Sequence, residues 1–410
     1  MRKYLILLLF AMCPTICIQA NHFPTSSYKS VKCIEHNDTS IYILKPEGLE
    51  VVNKITGKKT VYNMQTGYFM EQWRVYELQK NGTVGLNSLA IRPDTIWVGS
   101  NDGVLTSISD GKADTTMHYC NLSEYEGYDF IRPMGINSIV FDSKGTKVLG
   151  GENCINVIYP SGEEMSLTFP SIDYGTEIWQ MVIDRYDNIW ISSTTALSGN
   201  GLIKYHVGRE IEVISNIKGG NPPFSGSYVK GLTVDSNGHL WIGGRHEDTL
   251  SVGKTQWRAK LLEYDGNTFT SHDVGVSAEV PLSIKSDNQG RVWFLPTEEI
   301  NWKDYDVLEY SVGPLCCFDN GEIIRYSWSQ DAGHCYCVDV DGDSVYIGTD
   351  NGVLVFSDGV FRWLNSDETG IIETPSRQHT SSSFFDLQGR RIQDDPQHGV
   401  YIRNGKKVMR

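Results

Sequence analysis

The chain has 410 residues, 40% of them hydrophobic and 21% charged, enough apolar material for a large core and too much for a broadly disordered protein. Its formal net charge of −14 becomes −16 (−14 − 2) once Arg2 and Lys3 are set aside as part of a leader. That acidity argues against phosphate backbones and anionic membrane surfaces as partners, so no nucleic acid is expected.

In chain order the first element is MRKYLILLLFAMCPTICIQA, two cations, an apolar core from Tyr4 to about Met12, and a small residue at Ala20. This pattern predicts a signal peptide over residues 1–20 and an exported protein, extracellular or at the cell surface, with the periplasm as the alternative. No later apolar run approaches the roughly 18 residues that span a bilayer, so no transmembrane segment is expected. Nine Cys are present; without Cys13 and Cys17 seven remain (9 − 2), an odd number that forbids complete pairing. With no CxxC pair of pairs, buried thiols are favoured over a zinc site, and neither metal nor cofactor is expected.

From Val31 onward one outline recurs. VDSNGHLWIGG (Val234–Gly244) is echoed by SIKSDNQGRVWF, VIDRYDNIWIS and VDVDGDSVYIG. Aligned on the strand that carries Trp241, the anchors are Tyr42, Trp97, Leu149, Trp190, Trp241, Trp293 and Tyr346, at successive spacings of 55, 52, 41, 51, 52 and 53 residues by subtraction. Periods of this length, with several short strands each, predict propeller blades. In the fifth copy KGLTV, HLWIGG, KLLEY and TFTSH read as four strands, joined by the turns DSNG and DGN at the first and last connections. The expectation is an all-β, seven-bladed β-propeller of four-stranded antiparallel blades over residues 31–364. Each anchor fills the wedge between adjacent sheets, and only residues 21–30 are left to act as a clasp. DVDGD (Asp339–Asp343) lacks the distal Glu of a calcium loop and reads as a blade turn.

The repeats resemble those of two-component-regulator propellers over about Val31–Leu364, best in VDSNGHLWIGG and in VDVDGDSVYIGTDNGVLVFSDGVF. Such propellers often form the outer part of sensor kinases that respond to glycans. This chain carries no kinase or DNA-binding module, so the resemblance implies the fold and not the signalling.

In a meander the first and third turns share one end of the blade, and nearly every insertion falls at the other. These are the stretches 65–85, 121–135 and 215–227 between blades, and 194–200, 245–260 and 296–313 within them. Ligand-binding residues concentrate on such loops. The candidates are Trp73, Arg74, Tyr125, Tyr128, Arg132, Arg245, His246, Trp257, Glu298, Trp302, Asp304 and Trp328. Flat rings beside hydrogen-bonding side chains suit a sugar; the competing reading is that the rings pack the loops onto the propeller. No HExxH pair or GxSxG elbow is present, so no catalytic residue is assigned. The favoured function is a non-catalytic binding module for a glycan or a surface protein. The alternatives are a polysaccharide-degrading hydrolase or lyase on the same face, and a protein-assembly scaffold.

Residues 365–383 read as a polar linker, followed by a β tail over 384–410. FDLQGRRI and GVYIRNGKKV resemble the end of the carboxy-terminal sorting domain of the type IX secretion pathway of Bacteroidetes, which implies the secretion machinery as a partner. Here a linker stands in place of that domain's earlier strands.

Overall fold

The computed structural model describes residues 30–63, 86–121, 131–151, 154–168, 177–194, 201–214, 229–251, 254–274, 281–296 and 311–364, with short strands at 384–385, 391–392, 400–403 and 406–409. The chain divides into two compact units, Met1–Thr369 and Gly370–Arg410.

The first unit is a seven-bladed β-propeller, each blade an antiparallel sheet of four consecutive strands. Blade one holds β1 (Cys33–His36), β2 (Ser40–Lys45), β3 (Gly48–Asn53) and β4 (Lys59–Asn63). Blade two holds β5 (Leu86–Arg92), β6 (Thr95–Ser100), β7 (Val104–Ser109) and β8 (Lys112–Met117). A ribbon of β9 (Tyr119–Asn121) and β10 (Ile131–Pro133) precedes blade three, which holds β11 (Ser138–Phe141), β12 (Lys147–Gly150), β13 (Cys154–Ile158) and β14 (Glu164–Thr168). Blade four is β15 (Glu177–Ile183), β16 (Asn188–Thr194), β17 (Leu202–His206) and β18 (Glu212–Val213). Blade five is β19 (Val229–Val234), β20 (Leu240–Ser251), β21 (Lys254–Tyr264) and β22 (Phe269–Asp273). Blade six is β23 (Pro281–Ser286), β24 (Val292–Pro296), β25 (Leu315–Asp319) and β26 (Glu322–Tyr326). Blade seven is β27 (Cys335–Asp341), β28 (Ser344–Thr349), β29 (Gly352–Ser357) and β30 (Val360–Trp363).

A single twisted sheet leaves both faces wet, so the core lies between blades. Among the described residues an apolar cluster fills each of the seven gaps, for example Trp241, Leu261, Ile284 and Phe294 between blades five and six. All seven anchors lie on the second strand of their blade, as the repeat spacing requires. Six of them are buried, and Trp97 is half-buried beneath the Lys147 ammonium, 3.7 Å from its ring centroid.

The recurring Asp has a defined task. Asp235 Oδ1 accepts the amides of Asn237 and His239, both at 2.9 Å, and its Oδ2 accepts the Trp241 indole N–H at 2.9 Å. Asp184 and Asp287 repeat this with Trp190 and Trp293, at 3.0 and 2.9 Å. One carboxylate thus closes the turn and fixes the ring that wedges the next blade. The turn needs a left-handed residue, supplied by Gly238 at φ 85°. Blade four uses Asp187 there, at φ 62°, and its carboxylate accepts the amide of Ser143 in blade three at 2.8 Å.

Among the described residues no strand is exchanged to close the ring. Blade one contributes all four of its own strands, and the Val31 amide donates to the Thr349 carbonyl of blade seven at 3.0 Å. The expected clasp segment before residue 30 lies outside the described residues. Cys120 and Cys154 form a disulfide that ties β9 to β13, a pairing the odd cysteine count left undetermined. Cys316, Cys317, Cys335 and Cys337 are buried thiols outside the disulfide and Cys33 is half-buried, in keeping with the packing role expected of them.

The second unit contains four short strands, β31 (Phe384–Phe385), β32 (Arg391–Ile392), β33 (Val400–Arg403) and β34 (Lys406–Met409). Their spatial order is β32-β31-β33-β34, and Arg403 pairs with Lys406. Among the described residues no helix is long and apolar enough to cross a membrane.

Candidate functional site at the long-loop rim

The two rims of the propeller differ sharply in their connections. At one rim the links are tight; residues 93–94, 110–111, 320–321, 342–343 and 358–359 are two-residue turns, and the longer ones, such as 54–58 and 235–239, are closed by Asn or Asp side chains. The strand ends that flank the stretches 64–85, 118–137, 214–228 and 297–314 lie at the opposite rim. It also carries the far ends of β20 and β21. The pairing of β19 with β20 ends at Gly244 and that of β21 with β22 at Lys260, whereas β20 and β21 stay paired out to Ser251 and Lys254. Residues 245–251 and 254–259 therefore project from blade five as a two-stranded ribbon. Sequence reasoning expected an insertion loop here; continuous pairing makes it strand.

This ribbon holds three of the candidate residues. Along its ladder Arg245 pairs with Ala259, His246 with Arg258 and Glu247 with Trp257. Arg132 pairs with Cys120 in the ribbon β9–β10, which the disulfide pins to blade three. Trp328 is half-buried, edge-on to Phe361 with centroids 5.5 Å apart, in the cluster between blades six and seven. Its ring also closes over Gly313, where a Cβ would come within 2.7 Å of it. At this position the packing reading describes the contacts. Trp73, Arg74, Tyr125, Tyr128, Glu298, Trp302 and Asp304 lie outside the described residues.

Sequence reasoning missed a polar cluster at this rim of blade seven. The Tyr336 hydroxyl donates to Asp350 Oδ1 at 2.7 Å, and Asp350 Oδ2 accepts the His334 amide at 3.0 Å and lies 3.0 Å from His334 Nδ1. Lys32 of the segment leading into blade one sits 4.3 Å from the Tyr336 ring centroid. His334 is 45% exposed while Asp350 is 19% exposed, so the carboxylate orients an imidazole that still reaches solvent. A β-bulge between Cys335 and Cys337 gives Tyr336 its position, and a register slip of this kind leaves no mark on an alternating sequence. Bulges recur at the same level in β5, β15, β19 and β23. Among the described residues no group of three metal-binding side chains converges, including at DVDGD.

Comparison with known proteins agrees at the level of fold. A profile of the family described as two component regulator propeller matches residues 223–246, which run into the first two strands of blade five. No curated protein matches the chain. Virginiamycin B lyase from Staphylococcus aureus superposes with a TM-score of 0.56 at 14% identity, over 81% of this chain and 95% of that one. The WD40 domain of Neurospora crassa Pan2 gives a TM-score of 0.50 at 12% identity, over 80% and 88% of the two chains. An extracellular domain ascribed to a one component system of B. thetaiotaomicron gives 0.43 at 14% identity, over 80% of this chain and 45% of that one. Identities this low speak only to architecture. The molecule belongs to the class of seven-bladed β-propellers, and within that class it is similar to two component regulator propellers through its fifth blade.

Proposed function

We propose that the protein is an exported, non-catalytic binding module whose long-loop rim holds a glycan or a surface partner. The observation that carries this reading is the division of labour between rims: tight, side-chain-closed turns at one end, and a projecting two-stranded ribbon, a disulfide-pinned ribbon and the strand ends that flank the longest connecting sequences at the other. Rigid sheets that present elaborated loops on one side are the usual architecture of a binding face. The leader supports export, and so does the disulfide, which forms and persists in oxidising compartments.

A glycan array probed with the full chain tests the reading, with the double variant Trp257→Ala, Trp302→Ala as control. Retained glycan binding in a folded double variant counts against these residues as the site; no glycan binding by the wild type turns the reading toward a protein partner or a scaffold. One observation favours an enzymatic alternative: Tyr336, Asp350 and His334 place a hydroxyl and an imidazole around one carboxylate, groups suited to proton transfer in a lyase or hydrolase. New double bonds seen by absorbance, or new reducing ends, lost in Tyr336→Phe, would establish it. Removal of residues 384–410 tests the tail; the sorting role requires that the truncated protein stay folded and fail to reach the cell exterior.

A further inference from the structure

Six of the seven gaps lie between blades that follow one another in the chain, whereas blade seven meets blade one without such a link. Val31, Ile34, Ile41, Ile43 and Val52 pack there on Cys337, Tyr346 and Val353. The inner strands add charge at one register level. Lys285 lies opposite Trp293, Asp339 opposite Tyr346 and Glu35 opposite Tyr42. At the equivalent level blades two to five carry Ala90, Ile139, Val182 and Thr233. The charges are thus confined to the blades that meet at or flank the closure.

They form a chain of alternating sign. The Lys285 ammonium is 3.0 Å from Glu35 Oε1 and 3.6 Å from Asp339 Oδ1. Asp339 Oδ2 is 2.6 Å from His36 Nδ1, His36 Nε2 is 3.7 Å from Asp341 Oδ1, and Lys54 pairs with the other Asp341 oxygen. Asp339 is only 3% exposed, so its charge depends on these partners. Of the other groups facing the chain, burial pushes the Cys33 thiol far up, Cys337 up to about 12 and the Tyr346 hydroxyl above its usual value, so all three are neutral in the physiological range.

We propose that this seam is a proton-responsive joint: the ring is tighter in mildly acidic solution and loosens first between blades seven and one as the solution turns alkaline. His36 is the sensor. Its bond to Asp339 raises its proton affinity above the ordinary imidazole value, and burial opposes this without prevailing. A folded-state value above the unfolded one means that the contribution is complete below the ordinary imidazole range and is lost as pH rises through the folded value. Glu35 is raised chiefly by burial, with Lys285 opposing, and so also binds its proton more tightly when folded. Asp339 sets the acid limit. Burial disfavours its charge, but Lys285 and His36 outweigh burial and lower its value, so its contribution disappears only as pH falls below the usual aspartate range.

Amide hydrogen exchange on the full chain, at about pH 5.5 and about pH 8.5 and corrected for intrinsic rates, reads the joint directly. The expected result is protection of β1 and β27 about threefold greater at the acidic value, relative to β15 and β19, the size of effect that a partly shielded ion pair supplies. His36→Gln should abolish the difference. Asp341→Asn, at the more exposed end of the chain, threatens folding less and should reduce it. An equal response in β1 and β15, or a wild-type response in either variant, overturns the proposal; should His36→Gln not fold, the wild-type comparison and Asp341→Asn decide alone.

Discussion

At the short-turn rim, Asp235, Gly238 and Trp241 lie within seven residues of one another and between them build a turn, a strand and an inter-blade wedge. At the opposite rim, Tyr336 finds Asp350 fourteen residues away and Lys32 across the ring closure, through a bulge. The contrast teaches that one end of this molecule is specified by local chemistry and bears the load of folding. The other is specified by long-range placement. Experiments that break the first rim should cost the most stability; on the proposed reading, those that break the second should cost less stability and also binding.

The largest effect is expected from Trp241→Ala. The ring is 4% exposed, stacks against His272 with centroids 5.7 Å apart and meets Phe318 at 5.2 Å. Its loss leaves a cavity between blades five and six and an Asp235 carboxylate without its indole donor, a cost of about 3–5 kcal/mol in urea unfolding. Next comes the long-loop rim itself. Replacing Cys120 and Cys154 by Ser opens a link with a sequence separation of 34, and the chain-entropy argument puts the loss at about 2–4 kcal/mol. A loss clearly greater than that of Trp241→Ala would show that the long-loop rim bears more of the folding load than the short-turn rim, and would reverse the comparison.

The same contrast governs how far the sequence could be read. Blade count, the anchors at Tyr42 through Tyr346 and the Asp turns were legible because each depends on a few neighbouring residues with fixed φ or hydrogen-bonding requirements. The strands of the fifth copy were placed within a residue or two at their blade ends, but the ribbon beyond Gly244 was read as loop, since its polar sequence RHEDTLS lacks the alternation that marks a half-buried strand. The cluster of His334, Tyr336 and Asp350 was invisible, because the β-bulge and the fold of two loops bring it together. The Cys120–Cys154 pair was equally hidden: the partners lie on a ribbon and a blade whose contact no local pattern announces. Trp328 was offered as a ligand-binding candidate although it falls in none of the long insertions; it lies between β26 and β27, and its contacts with Phe361 and Gly313 are packing contacts.

A pH profile sharpens the account of the short-turn rim. Asp287 is buried, and burial disfavours its charge, but bonds from the Trp293 indole, from the Arg291 side chain at 2.6 Å and from turn amides lower its pKa below the ordinary aspartate value. A lowered folded-state value contributes stability above the ordinary aspartate range and loses it as pH falls through the folded value. Asp287→Ala should therefore cost about 1–3 kcal/mol near neutrality, where it orphans buried donors. Its urea midpoint should also vary less than that of the wild type as pH falls from about 5 to about 3. Parallel acid profiles in the two proteins would assign the acid sensitivity elsewhere.

The smallest effect is expected where the same chemistry faces water. Asp187 accepts both the amide and the hydroxyl of Ser143, at 2.8 and 2.5 Å, and these bonds lower its pKa, as the burial of Asp287 does not prevent in blade six. The carboxylate stands at the surface of its turn, however, and solvent offers it equivalent donors once the hydroxyl is removed. Ser143→Ala should leave the urea midpoint unmoved within error, although it breaks a bond between two blades. A clear destabilisation would mean that turn-to-turn bonds on the surface help hold the ring. The short-turn rim would then owe its strength to contacts between neighbouring turns as well as to the buried Asp and Trp pairs inside each one.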